Sequence, residues 1–192
     1  MLGELIIRNR SYRRFYEDVK INRVFLEGLI DMARLSASAR NIQPLKYIIS
    51  SEPERNETIF PHLFWAGYLK EWPGPDKGEG PSAYIIVLHD TEIETSSNLL
   101  WCDLGLACQN ILLGAVEGGY GGCLIGAFKK DKIIKILHIP SRYDPLLVIA
   151  LGKPKETVRL EEIDEGQDIR YYRDERGVHH VPKRRLENLI LQ

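Results

Sequence analysis

Four arginines fall within seven positions in Arg8-Asn9-Arg10-Ser11-Tyr12-Arg13-Arg14, and a second basic cluster, Lys183-Arg184-Arg185, stands near the other end of the chain. Guanidinium forks match phosphate oxygens two at a time, and the Ser11 hydroxyl adds a neutral donor at short range. The two clusters meet only if folding brings them together. Together they would surround a phosphate; apart they are a solvated basic edge. Other chemistry-bearing residues offer less. Cys102, Cys108 and Cys123 form an odd set in mostly apolar surroundings, which fits buried, reduced thiols better than a disulfide framework. Their spacing lacks the close ligand pairs of a zinc or iron–sulfur site. His179 and His180 are adjacent, point to opposite faces of an extended strand and lack a cysteine or carboxylate at ligand spacing. No metal is expected.

Composition narrows the partners. A formal charge of −1, from 26 basic and 27 acidic residues, gives no overall field to hold a polyanion, so nucleic acid is not the expected partner. No apolar run approaches the roughly 18 residues of a bilayer span, and the acidic start Met1-Leu2-Gly3-Glu4 lacks a basic leader region. The expectation is a cytoplasmic protein with no membrane partner, built as a single domain over 1–192.

The elements that must position these residues follow from periodicity. A short amphipathic helix is expected over 2–9, and a longer one over 21–34 with Val24, Leu29 and Met32 near helical spacing and Asn22 as its cap. Residues 36–44 read as a small-residue polar loop closed by Pro44, admitting a strand over 45–51. Between 52 and 81 the aromatics Trp65, Tyr68 and Trp72 precede a Pro- and Gly-rich run, so 60–81 reads as a lid-like region. The apolar runs 82–89 and 145–152 read as buried strands, and 131–137 as a short helix. Residues 100–117 are apolar around nearly the whole helical circumference, which predicts burial on several sides and cover from a second subunit. Gly118 to Gly122 follow that helix rather than open one, the wrong order for a dinucleotide loop, and read as a helix stop without a cofactor contact. The charged tail from 153 to 192 ends in apolar residues and is expected to wrap over its own or a neighbouring subunit.

In chain order, several segments resemble the nitroreductase family of FMN-dependent, NAD(P)H-using reductases. They are Arg10-Ser11-Tyr12-Arg13-Arg14-Phe15, Ser38-Ala39-Arg40-Asn41-Ile42-Gln43-Pro44, Asp103 to Asn110 leading into Leu124-Ile125-Gly126-Ala127-Phe128, and Ala150 to Pro154 with Pro182-Lys183-Arg184-Arg185-Leu186 beyond. The resemblance implies an α+β, nitroreductase-like fold with a central, mostly antiparallel sheet flanked by helices, assembled as an intertwined homodimer with FMN at the subunit interface. It places Arg10, Ser11, Lys183 and Arg185 at the phosphate or ribityl chain and Arg13 near flavin N1 and the C2 carbonyl. Ser38, Ala39 and Asn41 would come from the other subunit, and Ile125, Gly126 and Ala127 would lie along the N5 and O4 edge. Asn9 stands where relatives often carry a basic residue, leaving open whether Arg8 replaces it. Gly126 stands where some carry glutamate, so only a backbone contact carries over.

The implied activity is a ping-pong transfer of hydride from NAD(P)H and then of two electrons to a flat small-molecule acceptor such as a nitroaromatic or quinone. The flavin does the chemistry and the protein supplies no catalytic nucleophile. A fixed guanidinium at the pyrimidine edge would stabilise the negative charge that reduction adds. The alternative on the same fold is a non-catalytic flavin-binding, sensing or flavin-processing protein.

Overall fold

The computed structural model describes residues 1–191. Helix α1 (Leu2–Arg8) and the short strand β1 (Phe15–Tyr16) lead to α2 (Arg23–Arg34), whose Asn22 side chain accepts a hydrogen bond from the Phe25 N–H at 2.7 Å. This helix starts two residues later than the sequence suggested. Its buried stripe is Leu26, Leu29 and Ala33, at helical spacing, whereas Val24 is 77% and Met32 39% exposed. Strand β2 (Leu45–Ser50) follows the Ser38 loop. Ahead of the region read as a lid stands helix α3 (Pro53–Ile59), an element the sequence reading did not assign, with proline in its first turn where no intrahelical N–H is needed.

Strand β3 (Ala83–Asp90) is central, between β2 and β5 (Tyr143–Pro154), and antiparallel to both. The other side of β5 pairs antiparallel with β4 (Gly121–Ile125), and the far end of β5 pairs antiparallel with β1. Alternation along β3 divides the core. Ala83, Ile85 and Val87 pack with Leu26, Leu29, Leu104 and Ile111 from α2 and α4 (Ser97–Glu117). Tyr84, Ile86 and Leu88 pack on the other face with Ile59, Leu63 and, from α5 (Lys130–Leu137), Ile133 and Leu137. Each fully buried aliphatic side chain contributes about 1.5–3 kcal/mol, so burial on both faces explains the unbroken apolar run of β3.

Helix α4 is long and apolar enough to match a bilayer span by length and composition, contrary to the expectation that no run comes close. In the fold it is the central packed helix, with Leu100, Asp103, Leu104, Ala107, Cys108, Ile111 and Leu112 among its buried residues. Its other face leaves Trp101 53% and Leu106 44% exposed beside Cys102, which is therefore not one of the buried thiols. Gly119, at φ +79°, turns the chain out of the helix, while Gly121 and Gly122 already belong to β4 rather than to the helix stop.

The tail folds into a second, three-stranded sheet: β6 (Val158–Ile163) runs parallel to β8 (His179–Arg184), and β7 (Tyr172–Arg173) pairs with β8 antiparallel. Strand β8 is what carries the second basic cluster back toward the first.

Candidate functional site

Residues 9–13 lie along β4. Ser11 bridges Gly122, and the Tyr12 N–H donates to the Gly122 carbonyl at 3.0 Å. The approach of this segment needs glycine at 121, where a Cβ would come within 2.5 Å of the Tyr12 ring, and packing on β5 needs glycine at 122, where a Cβ would come within 2.6 Å of the Ala150 carbonyl oxygen. Glu156, with a side chain only 1% exposed, ties the amino-terminal segment to the small sheet. Its carboxylate accepts hydrogen bonds from the Arg13 N–H, from the Arg14 N–H at 3.2 Å and from Arg173 Nη2 at 2.9 Å. The His179 N–H donates to the Thr157 carbonyl at 2.9 Å, which fixes the start of β8 beside the same junction.

The result is a cavity of about 340 Å³ lined by Asn9, Arg10, Ser11, Arg13, Gln109, Leu112, Leu124, Tyr171, His179, Val181 and Lys183. A neighbouring cavity of about 200 Å³ shares Arg13, Leu124 and Tyr171 and runs on to Ile125, Gly126 and Ala127, with Phe64, Trp65, Ala66 and Gly67 as its far wall. Residues from both ends of the chain thus line one cleft, of the size typical for small-molecule and cofactor sites.

Arg13 is the centre of this cleft. Its guanidinium carbon lies 4.9 Å from the centroid of the Tyr171 ring, and Nη1 is 3.3 Å from His179 Nε2 and 3.4 Å from the Ser11 carbonyl oxygen. His179 is 1% exposed, and burial, reinforced by the positive charges of Arg13 and Arg173, lowers its pKa to about 4. It is neutral at physiological pH. Arg10 donates from Nη2 to the Ile6 carbonyl at 2.6 Å, and burial pulls its pKa below the usual guanidinium value, with Tyr12 acting in the opposite direction.

Two atoms of this cleft, Arg10 Nε and His179 Nδ1, are buried with no hydrogen-bond partner among the described residues. A buried donor left unmade costs about 1–3 kcal/mol, and a bound group with acceptor oxygens would remove that cost. At the other end of the cleft a Cβ on Gly126 would meet nothing within 4 Å, so the edge expected to face a ring is open. The donors, the charge and the space fit a phosphate-bearing flat cofactor such as FMN.

Of the residues singled out from the sequence, Arg10, Ser11, Arg13 and Lys183 line the first cavity and Ile125, Gly126 and Ala127 the second. Arg185 is not with them. It lies past the end of β8 with its Nε 3.1 Å from Asp164, because the chain leaves the small sheet at Arg184. Arg8 is not among the residues that line the cavity: its guanidinium donates to the Val116 carbonyl on α4 at 3.4 Å, while Asn9 lines the cavity.

Ser38, Ala39 and Asn41 stand apart from this cleft within one chain. Ser38 Oγ donates to Asp103 at 2.6 Å, and the Ala39 N–H donates to the same carboxylate at 3.1 Å. Arg40, Asn41 and Gln43 all have φ between 54° and 56°, a conformation that costs side-chain-bearing residues about 1–3 kcal/mol each and persists only where neighbours enforce it. Asp103 on α4 anchors the start of this loop, and the Gln43 N–H closes it by donating to Ser38 Oγ at 2.9 Å.

Sequence reasoning did not pick out Glu156, Tyr171 or His179 as site residues. The signal for His179 was present in the pair His179-His180, since one of two adjacent residues on a half-buried strand must face inward. His180, on the other face, does have carboxylate partners: Nδ1 lies 2.5 Å from Glu161 and Nε2 3.0 Å from Asp174. Among the described residues no group of three or more His, Cys, Asp or Glu side chains is placed to hold a metal ion.

Comparison with known proteins fits this layout. The model of the nitroreductase family matches residues 6–153. A relative from Archaeoglobus fulgidus, provisionally named NADH dehydrogenase/NAD(P)H nitroreductase, is 27% identical over 165 residues, covering 83% of this chain and 90% of the relative. The FMN reductase (NADPH) of Bacillus subtilis is 26% identical over 168 residues, covering 79% of this chain and 65% of that protein. The crystal structure of a nitroreductase family protein from Clostridium novyi NT is 26% identical, with a TM-score of 0.68 and coverage of 81% of this chain and 87% of that one. The match to the family ends before Tyr171, which precedes β7, and before His179 and Lys183 of β8.

Proposed function

Because the chain belongs to the nitroreductase family, we propose that it is an FMN-dependent oxidoreductase taking hydride from NAD(P)H and passing two electrons to a flat acceptor such as a nitroaromatic or quinone. The observation that carries this reading is the convergence of Arg10, Ser11, Arg13 and Lys183 on one cleft that continues to Gly126 and Ala127. The Bacillus subtilis relative, an FMN reductase by name, supports the cofactor and the NADPH dependence.

When bound, FMN supplies the redox-active ring that exchanges hydride and electrons. The residues of this chain do the rest. Arg10, Ser11 and Lys183 would hold the phosphate and ribityl end through charge-assisted hydrogen bonds. Arg13 would set a fixed positive charge against the pyrimidine edge, where it favours the electron-rich form because no solvent has to reorganise around it. The backbone at Gly126 and Ala127 offers donors to the opposite edge without a side chain in the way. Phe64, more than half exposed at the mouth of the second cavity, gives a flat acceptor a surface to stack on.

The reading takes 1–192 as one cofactor-binding unit in which 60–81 excludes water from the cleft and 153–192 closes it from the other side. It also requires a homodimer, in which the Asp103-clamped loop at Ser38, Ala39 and Asn41 completes the site of the second subunit. The exposed apolar face of α4, with Trp101 and Leu106, favours such a contact. The cytoplasm is the compartment proposed.

The test is stopped-flow mixing of the purified, FMN-loaded protein with NADPH or NADH. Bleaching of the flavin band at about 450 nm within turnover time is expected of an enzyme of this type. A protein that binds FMN but stays yellow with both nucleotides would be a flavin carrier or sensor, and one that retains no FMN would overturn the cofactor assignment.

A further inference from the structure

The small carboxyl-terminal sheet lies beyond the segment that matches the family, yet the sheet and the residue that leads into β7 place two side chains directly on Arg13. His179 Nε2 is 3.3 Å from Arg13 Nη1, and the Tyr171 ring, 5.2 Å from the His179 ring centroid, lies under the Arg13 guanidinium. Arginine can only donate. The His179 Nε2 must therefore accept, which leaves the ring proton on Nδ1, the atom that is buried without a partner. The Tyr171 hydroxyl is in turn 3.3 Å from the Tyr68 N–H, so the platform is braced against 60–81.

We propose that His179 is a positioning residue of the flavin site: by accepting a hydrogen bond from Arg13, with Tyr171 as the platform beneath, it fixes where that guanidinium charge sits. The inference rests on the reading of the cleft as an FMN site. Its physical content is that a long, flexible side chain becomes a preorganised charge only if its own head group is held. Backbone amide contacts at Glu156 fix the Arg13 main chain but leave four rotatable side-chain bonds free. His179 and Tyr171 fix the far end of that side chain. A neutral acceptor is suited to this role, because a carboxylate in its place would cancel the charge it holds.

The test compares wild type with His179→Gln, which keeps an acceptor at a similar reach, and His179→Phe, which keeps the ring packing and loses the acceptor. The readouts are the two-electron midpoint potential of bound FMN, FMN affinity by fluorescence quenching, and thermal unfolding of the flavin-free protein. Loss of one hydrogen bond to a charged group is expected to shift the preference for reduced over oxidised flavin about tenfold in His179→Phe, a fall of about 30 mV for a two-electron couple. His179→Gln should restore most of it. Tyr171→Leu provides a second route that leaves His179 in place and should lower the potential in the same direction, so the proposal stays testable if His179→Phe does not fold. Wild-type potential in both His179→Phe and Tyr171→Leu, with only the unfolding temperature reduced, would show a merely structural role and overturn the inference. Failure of the wild-type protein to bind FMN at all would instead overturn the function reading, and this inference with it.

Discussion

Replacing Arg13 separates a charge that acts on the ligand from charges that only hold the fold. Arg13 and Arg14 are neighbours in sequence, but Arg14 is already committed: its Nε lies 2.9 Å from Glu79, which also pairs with Lys155 at 3.0 Å. Arg13 has no carboxylate on its guanidinium among the described residues, only the neutral His179 and the Ser11 carbonyl. Its charge is therefore available to the cleft. A hydrogen bond to a charged group contributes about 1.5–3 kcal/mol. Arg13→Ala is thus expected to weaken binding of reduced FMN by roughly 10- to 150-fold and, where the loss falls on the reduced form alone, to lower a two-electron potential by about 30–65 mV. Arg14→Ala leaves Glu79 paired with Lys155 and should change FMN affinity by less than about threefold, with a stability cost near 1 kcal/mol or less. Arg13→Lys keeps the charge but not the fork, and should fall between wild type and Arg13→Ala. The assay is spectroelectrochemical titration of the three variants beside equilibrium FMN binding. Equal effects of Arg13→Ala and Arg14→Ala on potential and affinity would refute the reasoning.

The other expectations concern the loop, the subunit contact and pH. Asp103→Ala removes the acceptor for Ser38 Oγ and the Ala39 N–H, and should destabilise the protein by about 2–4 kcal/mol in denaturant unfolding and weaken FMN binding; unchanged FMN affinity would mean the loop does not contribute to a site. Trp101→Glu with Leu106→Glu places charges on the exposed apolar face of α4 and should yield a monomer by light scattering that loses flavin on gel filtration, whereas a flavin-replete monomer would defeat the shared-site reading. The His179 pKa near 4, against 6.5 for an ordinary histidine, means that between those values the unfolded chain takes up a proton that the folded chain refuses. Stability is then fully present above about pH 6.5 and declines as pH falls toward 4. His179→Gln lacks this component, so its unfolding temperature relative to wild type should rise as pH is lowered through that window; a gap that does not change with pH would contradict the assignment.

Much of this arrangement could be read from the sequence because its signals are local. The unbroken apolar run of β3 and the all-round apolar α4 each follow from burial on two or more sides, and the Asn22 cap follows from its hydrogen-bonding chemistry. What escaped is long-range. Glu156 sits in the short link between β5 and β6, and nothing nearby shows that it binds the Arg13 and Arg14 amides more than 140 positions away in sequence. Strands β6 and β8 pair in parallel across an intervening strand and turns, and their charged residues hide the alternation that marks a half-buried strand. Helix α3 is short and polar, too short for its period to stand out. The family resemblance singled out Arg10, Ser11, Arg13, Lys183 and Ile125 to Ala127, and these residues line the two adjoining cavities. Arg185 was singled out by the same resemblance, but β8 ends at Arg184 and leaves Arg185 beside Asp164.

The most direct test of the account is a crystal structure of the protein grown with FMN in excess. The account predicts a dimer with FMN in each cleft, its phosphate at Arg10, Ser11 and Lys183, its ring edge between Arg13 and the Gly126–Ala127 backbone, and the Ser38 loop of the second copy against it. A well-ordered dimer with that cleft empty, or with FMN bound elsewhere, would contradict it.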